Sequence, residues 1–557
     1  MKYRHVLYIL LTAFTGSALA QSTSIPLNND YYRLVERYRV LSGNVVDSFH
    51  TSSKPFTREK VVGFISALDS SLFSSPQDRF NRAYLLNDSW EHSKSAEVYT
   101  QKPFLKHFYR AKPDFYHVDT EHFNLHVNPV MYFQGGKERG EDKLLFINTR
   151  GIELRGMVDN KVGFYSFIGE NQMRLPGYVR ARTNEYKAIP HEGFWKDFKG
   201  DGYDFFSVRG HISFQATRHI NMQFGRDRHQ IGPGIRTLAL SDFAPPSLYL
   251  KFTTNVWKFN YTNLFTQLTQ ENRSPQMGLI SFPQKFMALH HLSLNIGSKV
   301  NVGFWEAVMY GAPTGQKATF ELKYLNPVIF YRAVEHQNGS TDNAIVGADV
   351  EYLPVRGVSL YGQLVLDEFL LKNLRERNGW WANKYGVQAG VKYFNSFGLE
   401  NLDLTAEFNT VRPYTYSHAT PYGSYTNFMQ PLAHPLGANF KEFMGQAAYQ
   451  PLPKLSLTGR AMYVLTGRDT TGVNWGGDVL KSYRTIQQTY GNKTGQGLSS
   501  AITYINLKAS YMLMHNMFID LSVAIRNEES EWAPFERKDA IFSLAFRWNA
   551  AVKDYEF

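Results

Sequence analysis

Residues 501–526, AITYINLKASYMLMHNMFIDLSVAIR, decide the fold class of this chain. From Thr503 to Tyr511 every second side chain is suited to lipid contact, and the more polar residues fall between them. The alternation resumes after a turn at His515 and continues to Arg526. A period of two is that of a β-strand, so the stretch predicts a long hairpin with one apolar and one polar face. Such hairpins are typical of outer-membrane β-barrels.

The same alternation recurs along most of the chain. Eighteen segments follow it, the first at 122–134 and the last at 538–549. Their connections alternate between short turns, such as 451–453, and long loops, such as 172–202. Short turns lie on the periplasmic side of bacterial barrels and long loops outside. We therefore predict an all-β fold: an antiparallel transmembrane barrel of about 18 strands over residues 122–557, with both termini periplasmic.

Residues 1–20 have the pattern of a secretory signal peptide. Lys2 and Arg4 precede a short apolar run, and small residues end the segment before Gln21. The apolar run is too short to span a bilayer as a helix. The chain has no cysteine, which excludes a lipid-anchored cleavage site and disulfides. We expect a protein of the bacterial outer membrane.

Residues 21–121 follow a different pattern. Apolar side chains recur at helical spacing after Asn29, Thr57 and Pro76, which predicts three short amphipathic helices. They indicate a periplasmic helical segment that packs on itself or on one end of the barrel.

No enzyme, cofactor or metal site is predicted. Asp367 and Glu368 are adjacent, so in a strand their side chains would point to opposite faces and could not act as a paired acid and base. His117, His122 and His126 lack the spacing of a zinc site.

The composition narrows the class of partner. Aromatic residues make up 15% of the chain, with 34 Tyr and 41 Phe, which suits a barrel with two aromatic girdles. The formal charge of +11 would suit nucleic acid, but a secreted chain does not meet it. We expect outer-membrane lipid, lipopolysaccharide and anionic surface polysaccharide as partners. The charge fits simple solvation of the surface equally well.

Two long connections are candidates for closing the barrel. One contains Gly225–Arg236, GRDRHQIGPGIR, in which Arg226, Arg228 and Arg236 could pair with inward carboxylates such as Asp367 or bind an anion. The other, 311–342, holds the largely apolar run 322–332, LKYLNPVIFYR, which ends at Tyr331 and Arg332 and needs burial. We interpret both as parts of a plug in the lumen, with anion binding as the alternative.

The loop 412–439 interleaves aromatic residues with Pro, Gly, Ser and Thr. If exposed, Tyr414, Tyr416 and Tyr422 would be platforms on which sugar rings stack. The alternative is an aromatic loop that packs on itself, and we hold this alternative to be the stronger.

Several motifs resemble a known family. Gly225–Arg226, Gly232–Gly234 and the run 238–242, LALSD, resemble the Wzi-type capsule-assembly outer-membrane proteins. The runs 325–332, LNPVIFYR, and 364–369, LVLDEF, look most similar to the Bacteroidota branch, which includes gliding-motility proteins of the RemB type. The resemblance implies an eighteen-stranded barrel, closed by inward loops and periplasmic helices, that anchors or assembles surface polysaccharide.

Two other functions remain open. The chain could be a gliding-motility or cell-surface assembly component that contacts other cell-surface or motility proteins, or a diffusion porin.

Overall fold

The computed structural model describes residues 22–270, 282–313, 316–327 and 342–557. Eighteen antiparallel strands form a closed barrel, because the last strand pairs with the first, Phe546 opposite Phe133. We number them β1 to β18; they span, in order, Phe123–Glu138, Leu145–Val158, Val162–Arg174, Gly202–Thr217, Ile220–Asp227, Ser247–Val256, Phe259–Thr269, Gln284–Ile296, Val300–Gly311, Asn343–Tyr352, Val358–Glu368, Lys384–Phe394, Leu402–Val411, Phe440–Leu452, Leu455–Arg468, Leu498–Met514, Met517–Ser530 and Arg537–Trp548. The predicted barrel is confirmed.

The alternation in the sequence sets the two faces of the barrel wall. In the hairpin of β16 and β17, Leu507 and Leu521 are exposed on the outer face, whereas Tyr504 and Asp520 are buried on the inner face. Leu521 lies opposite Ala509 on one side and Leu544 on the other. Apolar side chains therefore form a continuous outer surface, of the kind that lipid covers.

The connections differ in length at the two ends of the barrel. The short ones, such as 515–516 and 453–454, lie at what we call the short-turn end. The long ones, such as 175–201 and 412–439, lie at the long-loop end. The first connection, 139–144, is short because β1 continues to Glu138 instead of ending at residue 134 as predicted. Two of the long connections contain the short helices Gly177–Tyr186 and Leu371–Arg375.

The N-terminal segment forms three helices, α1 (Tyr31–Ser42), α2 (Arg58–Ala67) and α3 (Pro76–Asn87). Their apolar stripes face one another, with Tyr31, Val35 and Leu85 fully buried between them. None of the helices in the described part of the chain is long and apolar enough to cross a bilayer.

Polar side chains of α1 bind the N-terminal segment to the inner wall at the short-turn end of the barrel. Arg37 pairs with Asp403 of β13, and Arg39 pairs with Glu351 of β10. Glu36 accepts from Lys392 of β12 at 2.9 Å. Burial opposes ionisation of Glu36, but the charges of Arg39 and Lys392 outweigh it and hold the pKa of the carboxyl below its ordinary value. The helices therefore occupy this end of the lumen.

Candidate functional site: the filled lumen and the aromatic rim

The connection 228–246, which we call the inward loop, folds into the lumen. Leu238 and Ala239 are fully buried against inward side chains of the wall, among them Trp305 and Val365. The backbone N–H of Leu238 donates to Gln363 of β11 at 2.9 Å. Gly232 has a positive φ of 135°, and a Cβ there would lie 2.4 Å from the Gln363 side chain. The glycine is therefore needed for the loop to pass this close to the wall.

Arg236 connects the inward loop to carboxylates elsewhere in the barrel. Its guanidinium pairs with Glu556 and lies 3.6 Å from Glu442 of β14. The backbone N–H of Arg236 donates to Glu407 of β13 at 3.0 Å. Carboxylates thus hold the inward loop at Arg236. Asp367, which we had expected to supply one, instead pairs with Lys384 at 3.1 Å.

The other two arginines have different surroundings. Arg228 donates to the backbone carbonyl of Asp242 at 3.1 Å, inside the same loop. Arg226 is exposed and belongs to β5, two residues after the outward-facing Phe224, so it shares the outer face. The prediction that Arg226 belongs to the plug is wrong, because the strand extends to Asp227 and its alternation turns the side chain outwards.

The tyrosines of loop 412–439 are buried rather than exposed. Tyr414 donates to the carbonyl of Asn474 at 3.0 Å, and Tyr416 donates to that of Leu238 at 2.8 Å. Tyr422 is also buried, beside Gly311. Their rings therefore cannot serve as exposed stacking platforms. Loop 412–439 therefore covers the inward loop. The hydroxyls of Tyr414 and Tyr416 can be buried because each donates to a backbone carbonyl.

Only part of the connection 311–342 is described. Leu322–Leu325 forms one 3₁₀ turn, and the buried Tyr324 packs on Tyr310 with 4.3 Å between ring centroids. Tyr331 and Arg332 lie outside the described residues.

Residues 549–557, which we call the tail, turn back into the lumen after β18. Tyr178 donates to the carbonyl of Tyr555 at 2.5 Å, and Lys553 donates to Thr149 of β2 at 2.8 Å. Sequence reasoning missed this element. The sequence does contain a sign of the tail: the alternation of apolar and polar residues stops at Trp548, so residues 549–557 lie outside the last strand.

Aromatic side chains from three loops meet at the long-loop end. Trp381 lies 5.1 Å from Tyr483, which in turn lies 5.4 Å from His418. Trp380 adjoins Trp381 at 6.4 Å. All four are half-buried, so their rings are held by packing while part of each surface reaches solvent. We call this group the aromatic rim.

The loops that form the aromatic rim are rich in basic residues. The same loops carry one exposed carboxylate, Glu376, and five exposed cations: Lys372, Arg375, Arg377, Arg484 and Lys493. The rim thus combines ring faces with positive charge, and sequence reasoning had not identified it. Within the described ranges, no group of three acidic, histidine or cysteine side chains could hold a metal ion.

Comparison with known proteins shows the fold. No family model and no curated protein matches this sequence. Among solved structures, this chain is similar to Wzi of Escherichia coli, with 12% sequence identity and a TM-score of 0.58. The match covers 95% of this chain and 100% of Wzi. Wzi is an outer-membrane protein involved in group 1 capsule assembly and a carbohydrate-binding β-barrel. Two Pseudomonas aeruginosa proteins, OprD and OccK1, are each 10% identical to this chain and match 76% of it. The match covers 94% of OprD with a TM-score of 0.42 and 97% of OccK1 with a TM-score of 0.43. The chain therefore shares the barrel fold of Wzi.

Proposed function

We propose that this protein is a plugged outer-membrane barrel that holds surface polysaccharide at its long-loop end. One observation carries the proposal: the inward loop, the N-terminal helices and the tail occupy the lumen together, each fixed by buried ion pairs or hydrogen bonds. A barrel filled in this way has its long-loop rim, rather than a passage, available for function. The fold shared with Wzi, a carbohydrate-binding barrel, supports the same choice.

The outer surface supports a membrane location. Exposed apolar side chains cover the outer face of the wall, and the long loops gather at one end. In bacterial barrels the long loops face the exterior, so the aromatic rim would lie at the cell surface.

The aromatic rim supplies the chemistry for a glycan. Half-exposed rings such as Trp381 and Tyr483 stack on the apolar faces of sugars. Nearby cations such as Arg377 and Arg484 would attract an acidic polysaccharide. The buried tyrosines Tyr414, Tyr416 and Tyr422 support the loops from below instead of contacting the glycan.

Two measurements test this function. In planar bilayers the intact protein should stay near baseline, and a large steady conductance would make it a porin. The double variant Trp380→Ala/Tyr483→Ala should keep its heat-modifiable folded band on gels but release polysaccharide from the cell surface. Trp532→Ala, an exposed aromatic in another connection, is the matched control and should retain it. If the wild type, the double variant and Trp532→Ala all retain the same amount of polysaccharide, the aromatic rim is not the glycan site.

A deletion strain separates polysaccharide anchoring from gliding or surface assembly. Loss of capsule staining with normal spreading supports anchoring. Normal capsule with lost spreading would assign the protein to motility.

A further inference from the structure

A cavity of about 530 Å³ lies inside the barrel. It is bounded by the N-terminal segment, the inner face of the wall, the inward loop and the tail. It reaches Pro453 and Lys454 in the turn between β14 and β15, where Lys454 is exposed. The cavity therefore extends to the short-turn end, opposite the aromatic rim. Its volume lies in the range of about 300–1,000 Å³ that is usual for small-molecule sites.

One wall of this cavity carries cations without paired carboxylates. Arg209 of β4 lies opposite Phe167 of β3, and its guanidinium carbon is 4.7 Å from the centroid of that ring. Among the described residues Arg209 has no hydrogen-bond acceptor, and the buried Nε atoms of Arg209 and Arg228 lack a partner. Neither arginine forms an ion pair with a described carboxylate. Guanidinium groups inside a protein are normally paired, so these two are left without a direct anionic partner.

Lys553 of the tail adds a third cation. Its ammonium donates to Thr149 Oγ1 and Asn171 Oδ1, both at 2.8 Å and both uncharged. Burial lowers the pKa of Lys553 to about 8, with Arg209 and Arg228 acting in the same direction and Glu192 opposing them. The Glu192 carboxylate itself accepts a hydrogen bond from Ser207 at 2.8 Å. The charges of Glu153 and Asp227 also act on Arg209, and that of Asp242 acts on Arg228. Among the described residues, none of these carboxylates forms an ion pair with the three cations.

We propose that this cavity binds an anionic saccharide unit, with Arg209, Arg228 and Lys553 neutralising its carboxylate or phosphate. Charge-assisted hydrogen bonds from two guanidinium groups and an ammonium suit such an anion. Phe167 and Phe205 line the same cavity and offer apolar surface to a sugar ring. The choice of a sugar rests on the proposed polysaccharide function, whereas the need for an anion rests on the two guanidinium groups that form no ion pair. The site would take an acidic glycan from the short-turn side, separately from the rim.

Calorimetric titration of the purified full-length barrel in detergent tests the site. The probes are glucuronate, glucose as the neutral control and inorganic phosphate as an anion without a ring. Glucuronate should bind and glucose should not, and Arg209→Gln should weaken glucuronate binding by at least about tenfold, because one charge-assisted contact is lost. Arg226→Gln is the matched control, since Arg226 faces outwards two residues before Arg228, and it should bind like wild type.

Three results would overturn the proposal: equal binding of glucose, unchanged affinity in Arg209→Gln, or phosphate binding as tightly as glucuronate. A heat-modifiable gel band confirms that each variant is folded, and Lys553→Met, which leaves the wall intact, should also weaken binding. The rim variant Trp380→Ala/Tyr483→Ala should bind glucuronate normally. Failure of rim retention and failure of the cavity site are therefore distinguishable.

Discussion

Ser53 of the N-terminal segment and Ile231 of the inward loop are antiparallel bridge partners inside the lumen. Lys54 lies opposite Gln230 in the same short sheet, and the N–H of Gly232 donates to the carbonyl of Ser52 at 2.7 Å. One partner belongs to the segment at the short-turn end and the other to a connection from the long-loop end. Because buried backbone groups need partners, the two elements stabilise each other as one plug.

Opening the barrel should therefore take two deletions. Removing residues 232–239 shortens the inward loop, and removing residues 22–115 clears the short-turn end. We expect each single deletion to give small, unsteady currents in planar bilayers and the double deletion to give a large steady conductance. Full conductance after the loop deletion alone would show that the helices do not close the lumen.

Glu556 should make the stability of the tail depend on pH. Burial opposes its ionisation, but Arg236 and Arg460 outweigh burial and hold its pKa at about 2, below the ordinary 4.5. A depressed carboxyl pKa stabilises the fold fully above pH 4.5, and this contribution is lost as the pH falls towards 2. Glu556→Gln should lower the free energy of unfolding by about 2–3 kcal/mol at pH 7.

The measurement is urea unfolding of wild type and Glu556→Gln between pH 7 and pH 2. The difference between the two proteins should shrink across pH 4.5 to 2. Asp554→Asn is the control, because Asp554 is half-buried and lies 3.7 Å from Lys508. A difference that stays constant across this range would show that the carboxylate charge does not hold the tail.

Arg37 should contribute far more to the stability of the plug than Arg33, although both pair with Asp403. The Arg37 side chain is 1% exposed and that of Arg33 is 25% exposed. Arg37→Met leaves a buried carboxylate without its main partner, which costs about 3–5 kcal/mol. Arg33→Met removes a solvent-screened pair worth about 0–1 kcal/mol. Urea titration followed by tryptophan fluorescence measures both, and equal losses would contradict the buried role of Arg37.

Leu521 and Ser522 test the register of the wall. Leu521 is exposed on the outer face, whereas Ser522 faces inwards and hydrogen-bonds Ser543 at 2.7 Å. Leu521→Arg should cost about 2–4 kcal/mol if the residue lies near the bilayer midplane, while Ser522→Arg should be tolerated better. Heat-modifiability on gels reports folding of each. The opposite order would mean that the strand is shifted by one residue.

The sequence by itself determined the barrel and the two faces of its wall. The alternation over Thr503–Arg526 is a local property, because successive side chains of a strand point to opposite faces whatever lies around them. The alternation of short and long connections likewise needs no knowledge of contacts, and it predicted eighteen strands that pair in sequence order around the barrel.

Only the tertiary structure decided what fills the lumen and what reaches the rim. An aromatic loop has the same sequence whether its rings are exposed or buried, and the burial of Tyr416 depends on the carbonyl of Leu238, 178 residues away. The pairing of Arg236 with Glu556 spans 320 residues, and nothing local to either residue specifies the other. Such contacts follow from closure of the barrel, which brings loops, helices and tail into one small volume where each buried charge must find a partner.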